Sequence, residues 1–588
     1  MLTDFLPTTK RELELRGWEE VDVILFSGDA YVDHPSFGMA VIGRTLEAEG
    51  LRVAIVPQPD WHGDLRDFKK LGRPRLFFAI TAGSMDSMVN HYTANRRLRQ
   101  DDAYTPDGRH GMRPDYCTIT YSKILRELFP DVPIVIGGIE ASMRRLTHYD
   151  YWQDRLMPSI LIDSRADLLI YGMGEQPLRE LVDRLRRGER LTDIHDLRQT
   201  AFVSDTDTDG LHLHSYEQCL KSKACYAENF RHIEEQSATM EAQTLVEPVG
   251  KRFVVVNPPF PTMTTEEIDR SFDLPYQRQP HPKYKGKRIP AFDMIRFSVN
   301  MHRGCFGGCS FCTISAHQGK QVASRSKRSI MQEIEKIARD EEFRGYLSDL
   351  GGPSANMYMM HGKDPELCRR CRRHTCLQPT ICKNLNQDFA PLLDIYRTVN
   401  ALPYIKKAFV GSGIRYDLMS EEYGRELIVN HVSGRLKVAP EHTEDHVLAL
   451  MRKPPFEQFE SFRRFFDRIN QEAQLREQLI PYFISSHPGC RVEDMAELAV
   501  KTKKMNFRLE QVQDFTPTPM TLATVMYYTG LNPYTMKPVF VARTKEQKLE
   551  QRQFFFHYDP QYRQAIIQTL RRIGRQDLIP QLVGSRFG

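Results

Sequence analysis

Met301 to Lys320 reads MHRGCFGGCSFCTISAHQGK, and its three cysteines, Cys305, Cys309 and Cys312, stand at C-x3-C-x2-C between two glycine-rich steps. Four protein ligands close a structural metal site, whereas three thiolates leave one coordination position open. The gaps are short enough for all three sulfurs to reach neighbouring corners of one cubane, and Gly304, Gly307 and Gly308 let the backbone fold tightly around it. The spacing predicts a site-differentiated [4Fe-4S] cluster. The plain alternative is three buried cysteines, or half of a zinc site.

Outward from this loop, Ile295 to Asn300 (IRFSVN) has the pattern of a short strand, and Ser329 to Ala338 has helical apolar spacing. Strand, cysteine loop and helix open a βα unit. With Phe311 just before the third cysteine, the stretch resembles the radical S-adenosylmethionine (SAM) superfamily. The resemblance implies a partial or complete (β/α) barrel, SAM chelated at the open iron, and reductive cleavage to methionine and a 5'-deoxyadenosyl radical.

Further strands are expected at Gly345 to Asp349, Lys407 to Val410, Leu436 to Val438, Leu479 to Ile484 and Glu510 to Phe515, making six with the first. Polar or glycine-containing turns follow each, and in β/α barrels such carboxyl-end loops build the active site. The resemblance places Gly351 and Gly352 where the superfamily has a Gly-Gly-Glu turn against the methionine amino group of SAM, with Pro353 in place of the acid. A carboxylate accepts from both ribose hydroxyls, which makes Glu441 a candidate for them, and Arg415 is a candidate to neutralise the methionine carboxylate, each equally open to reading as a structural ion pair.

Between the second and third of these strands, Cys368, Cys371, Cys376 and Cys382 follow C-x2-C-x4-C-x5-C. Four thiolates this close repel one another when ionised, and a metal relieves the repulsion. A structural zinc and a second Fe-S cluster both fit. Arg369, Arg370, Arg372 and Arg373 offset the negative charge of either.

Before the cysteine loop, Val21 to Ser27, Val53 to Val56, Leu76 to Ile80, Pro133 to Ile136 and Leu168 to Tyr171 are apolar strand candidates alternating with helical stretches. This predicts a doubly wound parallel sheet with ligands beyond the strands' carboxyl ends. PIVIGGIEAS (133–142) and ADLLIYGMGEQPLREL (166–181) resemble the cobalamin-binding type of domain in fold. The histidine pattern Asp-x-His-x-x-Gly is absent, so cobalamin is the lesser expectation. The polar segment 83–108 and residues His148 to Trp152 are a candidate substrate surface.

The expected fold class is α/β. A Rossmann-like, cobalamin-binding-type doubly wound domain spans 1–195, and a helical and proline-rich connecting segment spans 196–290. A radical SAM partial (β/α)6 barrel then spans 291–540, with the four-cysteine insertion at 351–390, and a small helical extension covers 541–588. A hydrophobic content of 41% and a charged content of 27% describe a globular chain, and no run approaches the length of a membrane span. Seven of eleven cysteines fall in two clusters, which suits metal binding in a reducing compartment and a cytoplasmic location. A net charge of +5 does not indicate RNA as a partner.

GSMDSMVNHYTA, PIVIGGIEASMRR, HRGCFGGCSFC, SGIRYDL, LKVAPEHT and FTPTPMTLATVMYYTG together resemble the YgiQ-type family of radical SAM proteins over nearly the whole chain. The resemblance implies a radical SAM enzyme served by an electron donor such as flavodoxin or ferredoxin, and leaves its substrate open. One alternative is cobalamin- or auxiliary-cluster-dependent transfer of a methyl or sulfur-containing group to RNA or protein. An alternative of another class is a non-catalytic Fe-S redox sensor or assembly protein.

Overall fold

The computed structural model describes residues 2–583. Met1 and residues 584–588, the end of the expected C-terminal extension, lie outside them. Five apolar runs form β1 (Val23–Ser27), β2 (Val53–Pro57), β3 (Phe77–Thr81), β4 (Ile134–Gly137) and β5 (Leu168–Ile170). They are buried almost throughout, as strands of a parallel sheet covered on both faces must be. The strands are paired in parallel in the order β2-β1-β3-β4-β5. Side chains alternate between two apolar layers. Val23 and Leu25 join one, with α1 (Gly38–Ala48) and α3 (Glu175–Arg186), while Ile24 and Phe26 join the other, with α2 (Cys117–Leu128). The strand order reverses between β1 and β3, and that reversal opens a crevice at the carboxyl ends.

The stretch expected to connect the two halves, with one short strand at Phe253 to Asn257, extends this sheet. β6 (Thr200–Ser204) runs antiparallel to β5, followed outward by β9 (Arg252–Val256), β8 (Leu245–Val249) and the edge pair β7 (Leu211–His212). Between β7 and β8 lies α4 (Lys223–Ala238). The proline-rich part is also tied down: Gln279–Pro280 pairs antiparallel with Val32–Asp33, and the Tyr31 amide donates to the Tyr284 hydroxyl at 3.2 Å.

The second half repeats short parallel strands and helices. Its parallel strands are β10 (Ser298–Asn300), β11 (Tyr346–Leu347), β12 (Asp349–Gly351), β13 (Lys407–Ala408), β14 (Arg435–Glu441), β15 (Gln478–Ser485) and β16 (Gln511–Asp514). β10 pairs with β12, β11 with β13, and β15 with both β14 and β16, all in parallel. The helices α5 (Lys327–Ala338), α6 (Ala390–Asn400), α7 (Phe456–Glu472) and α8 (Val492–Lys504) seal one apolar core through residues such as Ile334, Tyr396, Phe459 and Leu498. After α9 (Leu522–Thr529), stopped by Gly530 at φ 72°, the C-terminal residues Phe554, Phe555, Ile566 and Leu570 close the same core.

The two halves meet where α4 packs on α9. Tyr149, Tyr151, Tyr226 and Phe230 interlock with Phe515, Leu522 and Tyr527. Tyr149 and Tyr151, expected on a substrate surface, are therefore interior residues of the junction. The Arg452 guanidinium donates to both Glu234 carboxylate oxygens at 2.7 and 2.9 Å, and the Tyr534 hydroxyl also donates to Glu234. Among the described residues, no helix is long and apolar enough to cross a membrane.

Glu234→Ala leaves the Arg452 guanidinium without its carboxylate and removes charge-assisted hydrogen bonds worth about 2 kcal/mol. The expected result is amide hydrogen exchange in α4 and α9 faster by roughly tenfold or more, with β1 to β5 unchanged. Unaltered exchange in both helices would show that this ion pair does not hold the junction.

Candidate functional site

The cysteine loop leaves β10 and is closed at its base by a short antiparallel ladder, His302 with Ser324 and Arg303 with Ala323. The Cys305 amide donates to the Gly319 carbonyl at 3.1 Å, and Gly304 has φ 87° with its α-carbon against Gln321, so any Cβ there would overlap the Gln321 carbonyl. Inside the loop, the Cys312 amide donates to the Cys309 carbonyl at 3.1 Å. A short helix, Ile314–Gln318, begins there, with the Ile314 amide 3.4 Å from the Cys312 sulfur.

Neighbouring elements hold the loop from two sides. The buried Ser310 donates its amide to the Met451 carbonyl at 3.0 Å, accepts from the Ala523 amide at 2.8 Å, and places its hydroxyl 3.0 Å from His487 Nε2. On the other side, the Phe306 carbonyl accepts from the Cys376 amide at 3.1 Å and the Thr375 hydroxyl at 3.0 Å. Gly308 lies against His374 and Thr375, where a Cβ would come within 2.8 Å of the His374 carbonyl oxygen.

Charged groups from the loops after β12 to β14 surround the thiols. Arg415 Nη1 lies 3.7 Å from the Cys309 sulfur, while its Nε and Nη2 donate to Asp417 at 2.7 and 2.6 Å. The buried Asn356 side chain clamps this turn by accepting from the Arg415 amide and donating to the Arg415 and Leu418 carbonyls. Glu441 ends β14 with φ 70° and is 8% exposed. Burial raises its pKa, opposed by Lys453, whose Nζ is 3.9 Å away, and then by Arg415. The Gly351 carbonyl accepts from the Met301 amide at 2.8 Å, and Gly352 leaves room for the His302 ring. Both nitrogens of that ring are buried without a partner, and burial lowers its pKa to about 3. Gly351, Gly352, Arg415 and Glu441 are thus brought to one loop, together with Lys453, Asp417 and Asn356, which sequence reasoning did not single out.

The thiols themselves are half-buried and free of disulfides. Burial, then the nearby Cys309, pushes Cys312 up to about 12 and raises Cys305. Cys309 and Cys312 line a space of about 60 Å³ with Arg145, Glu234, Lys320 and His374. In the insertion, burial pushes Cys376 up to about 11, with Lys320 opposing and Cys382, Cys371 and Cys368 adding to it. Among the described residues, no three Cys, His, Asp or Glu side chains converge tightly enough to hold one metal ion.

A larger cavity, about 420 Å³, sits at the carboxyl ends of β1, β3, β4 and β5. Leu25, Met39, Ile42, Val135 and Leu178 form its apolar depth. Its other wall is the cysteine loop's helix, through Thr313, Ile314, His317 and Gln318. His34, the nearest match to the missing histidine pattern, is buried outside this lining, its Nδ1 accepting from the Ser36 amide at 3.1 Å.

The family described as Radical SAM N-terminal matches residues 5–298, and the domain of unknown function DUF3362 matches residues 510–582. A UPF0313 protein of Bacteroides thetaiotaomicron is 63% identical over 100% of this chain and 99% of its own. The UPF0313 protein YgiQ of Escherichia coli K12 is 44% identical, covering 98% of this chain and 87% of its own. Among solved structures, the radical S-adenosylmethionine methyltransferase TsrM of Kitasatospora setae, with cobalamin and a [4Fe-4S] cluster bound, superposes with a TM-score of 0.50 at 14% identity, over 86% of this chain and 74% of that one. This likeness is one of α/β fold.

In metal-free, reduced protein at pH 8, iodoacetamide is expected to modify Cys312 roughly tenfold or more slowly than Cys225, because the thiolate is the nucleophile and a raised pKa keeps Cys312 protonated. Peptide mass mapping reads both rates. Equal labelling would mean that burial does not protect this thiol.

Proposed function

This chain belongs to the UPF0313 family of radical SAM proteins, and on that premise we propose an enzyme that holds a [4Fe-4S] cluster on Cys305, Cys309 and Cys312, cleaves SAM reductively and abstracts hydrogen from its substrate. The observation that carries the reading is the three-thiol loop with the Arg415 guanidinium beside Cys309. The residues suit the group: three sulfurs, glycines where side chains would intrude, and a small space open at Cys309 and Cys312. When bound, the cluster supplies one electron to the sulfonium, giving methionine and a 5'-deoxyadenosyl radical.

The chain's own residues bind and orient. Asp417 occupies one edge of Arg415, through Nε and Nη2, and leaves Nη1 toward the Cys309 sulfur and an incoming carboxylate. Glu441, offset by Lys453 Nζ at 3.9 Å, is an acceptor for ribose hydroxyls. The Gly351–Gly352 turn offers backbone atoms to the amino group. Phe306 and Phe311 line the loop with apolar surface and limit water at the sulfurs.

The cavity of about 420 Å³ favours a second reading, transfer of a methyl or sulfur-containing group to RNA or protein with cobalamin in the first domain. Its apolar depth suits the flat base of a nucleotide tail, and the imidazole on its wall is His317 from the cysteine loop. A corrin held there would be without a first-domain histidine ligand.

The test is anaerobic reconstitution with iron and sulfide, then dithionite and SAM, with 5'-deoxyadenosine as the readout. Release is expected from the wild type and not from Cys309→Ala. Glu441→Gln is expected to weaken SAM binding about tenfold, or about 1.4 kcal/mol. A cluster-loaded wild type that does not bind SAM would replace this reading with that of an Fe-S sensor. Hydroxocobalamin retained by the wild type but not by Ile42→Trp, followed by its visible absorption, would favour the second reading.

A further inference from the structure

Cys368, Cys371, Cys376 and Cys382 occupy the segment between β12 and α6, which wraps back on itself. The Cys371 amide donates to the Cys368 carbonyl at 3.1 Å and the Cys382 amide to the Cys376 carbonyl at 2.7 Å. Asn384 Nδ2 donates to the Cys368 sulfur at 3.3 Å, and Lys320 Nζ lies 3.8 Å from the Cys371 sulfur. Gly362 has no Cβ to occupy the space that the Cys368 sulfur fills. All four thiols are half-buried and none is in a disulfide.

The same segment is one wall of the first cysteine loop. Phe306 accepts from Cys376 and Thr375, and Lys320, the last residue of that loop, donates to the Arg373 carbonyl as well as approaching Cys371. Its outer side is open. Leu367 is 62% exposed, and the exposed charges from 361 to 383 are basic at Lys363, Arg369, Arg370, Arg372 and Lys383 against acidic Asp364 and Glu366. Arg369 is partly engaged by Glu241 at 2.9 Å.

We propose that Cys368, Cys371, Cys376 and Cys382 bind a second iron-sulfur cluster that receives electrons from an acidic one-electron carrier protein and passes them to the site at Cys305, Cys309 and Cys312. The Cys376 amide on the Phe306 carbonyl and Lys320 beside the Cys371 sulfur set the insertion directly against the first cysteine loop, the proximity that one-electron transfer uses and that a redox-inert zinc would leave idle. Four protein ligands leave no iron open to a substrate, so the centre carries electrons rather than binding a reactant. Each step moves one electron: the carrier is oxidised by one, the second cluster is reduced by one and then reoxidised as the first site is reduced, with no bond made or broken. The exposed apolar residue among basic ones matches an acidic partner. The transfer step rests on the cluster reading of Cys305, Cys309 and Cys312; the second site does not.

The experiment uses the full chain, purified anaerobically, with Cys305, Cys309 and Cys312 all replaced by Ala. It is expected to retain about half of the wild-type iron and acid-labile sulfide, a brown absorption and an EPR signal after dithionite, all lost when Cys371→Ala and Cys376→Ala are added. Zinc, or no metal, in the triple variant overturns the proposal. Should that variant fail to fold, Mössbauer counting on the reconstituted wild type decides, with two clusters per chain expected and one overturning it. For the electron route, Lys363→Glu and Lys383→Glu together are expected to slow reduction by reduced flavodoxin about tenfold while leaving reduction by photoreduced deazaflavin, an uncharged donor, unchanged. An unaltered flavodoxin rate overturns the docking face. Loss of the first cluster's SAM chemistry with the second signal intact would instead count against the proposed function.

Discussion

A polar loop carrying three thiols cannot hold its sulfurs in place through its own hydrogen bonds, and the rest of the molecule supplies what it lacks. Too little of its backbone pairs internally, so the Ser310 amide and carbonyl go to Met451 and Ala523, and the Phe306 carbonyl goes to Cys376 and Thr375. Met451 precedes the turn into α7, Ala523 lies in α9, and Thr375 belongs to the cysteine insertion. Three distant parts of the chain must therefore be folded before the loop is fixed. Gly304 imposes the complementary demand from within, because only a residue without Cβ approaches Gln321 so closely at positive φ.

The charges follow the same logic of mutual support. Arg415 buried alone beside the thiols would be costly; Asp417 compensates it, and Asn356 fixes the backbone that presents both. Asp349 accepts from the Gly411 and Ser412 amides and so ties the start of β12 to the loop after β13. The groups nearest the sulfurs are thus positioned by neighbouring loops, and a change in any one of them is transmitted to the others.

Much of this was legible from local pattern, and the rest was not for identifiable reasons. The C-x3-C-x2-C spacing, the apolar runs of β1 to β5 and the turn at Gly351 and Gly352 are short-range signals that a sequence displays directly. β6 and β8, read as connection, are TAFVS and LVEPV: short, partly polar, and with Pro248 inside the second. Proline argues against a central strand, and here the strand lies near the sheet's edge, where that argument weakens. Lys453 and Asp417 carry no motif of their own, since their meaning comes from what the fold sets beside them. Tyr149 and Tyr151 misled in the opposite direction, because an aromatic cluster that fills a junction between two halves has the same composition as one that receives a ligand.

The short helix Ile314–Gln318 connects the three-thiol loop to the cavity at the ends of the first sheet. Its first amide points at the Cys312 sulfur, and Ile314, His317 and Gln318 form a wall of the large cavity at the ends of the first sheet. Gly172, at the end of β5, reaches the other wall, where a Cβ would lie 3.1 Å from the His317 carbonyl oxygen. A ligand in that cavity and a centre on the three thiols are therefore separated by one turn of helix. The cavity and the loop share this helix, and a packed interior transmits shifts rather than absorbing them. The doubly wound sheet accordingly shares a wall with the three-thiol loop rather than standing apart from it.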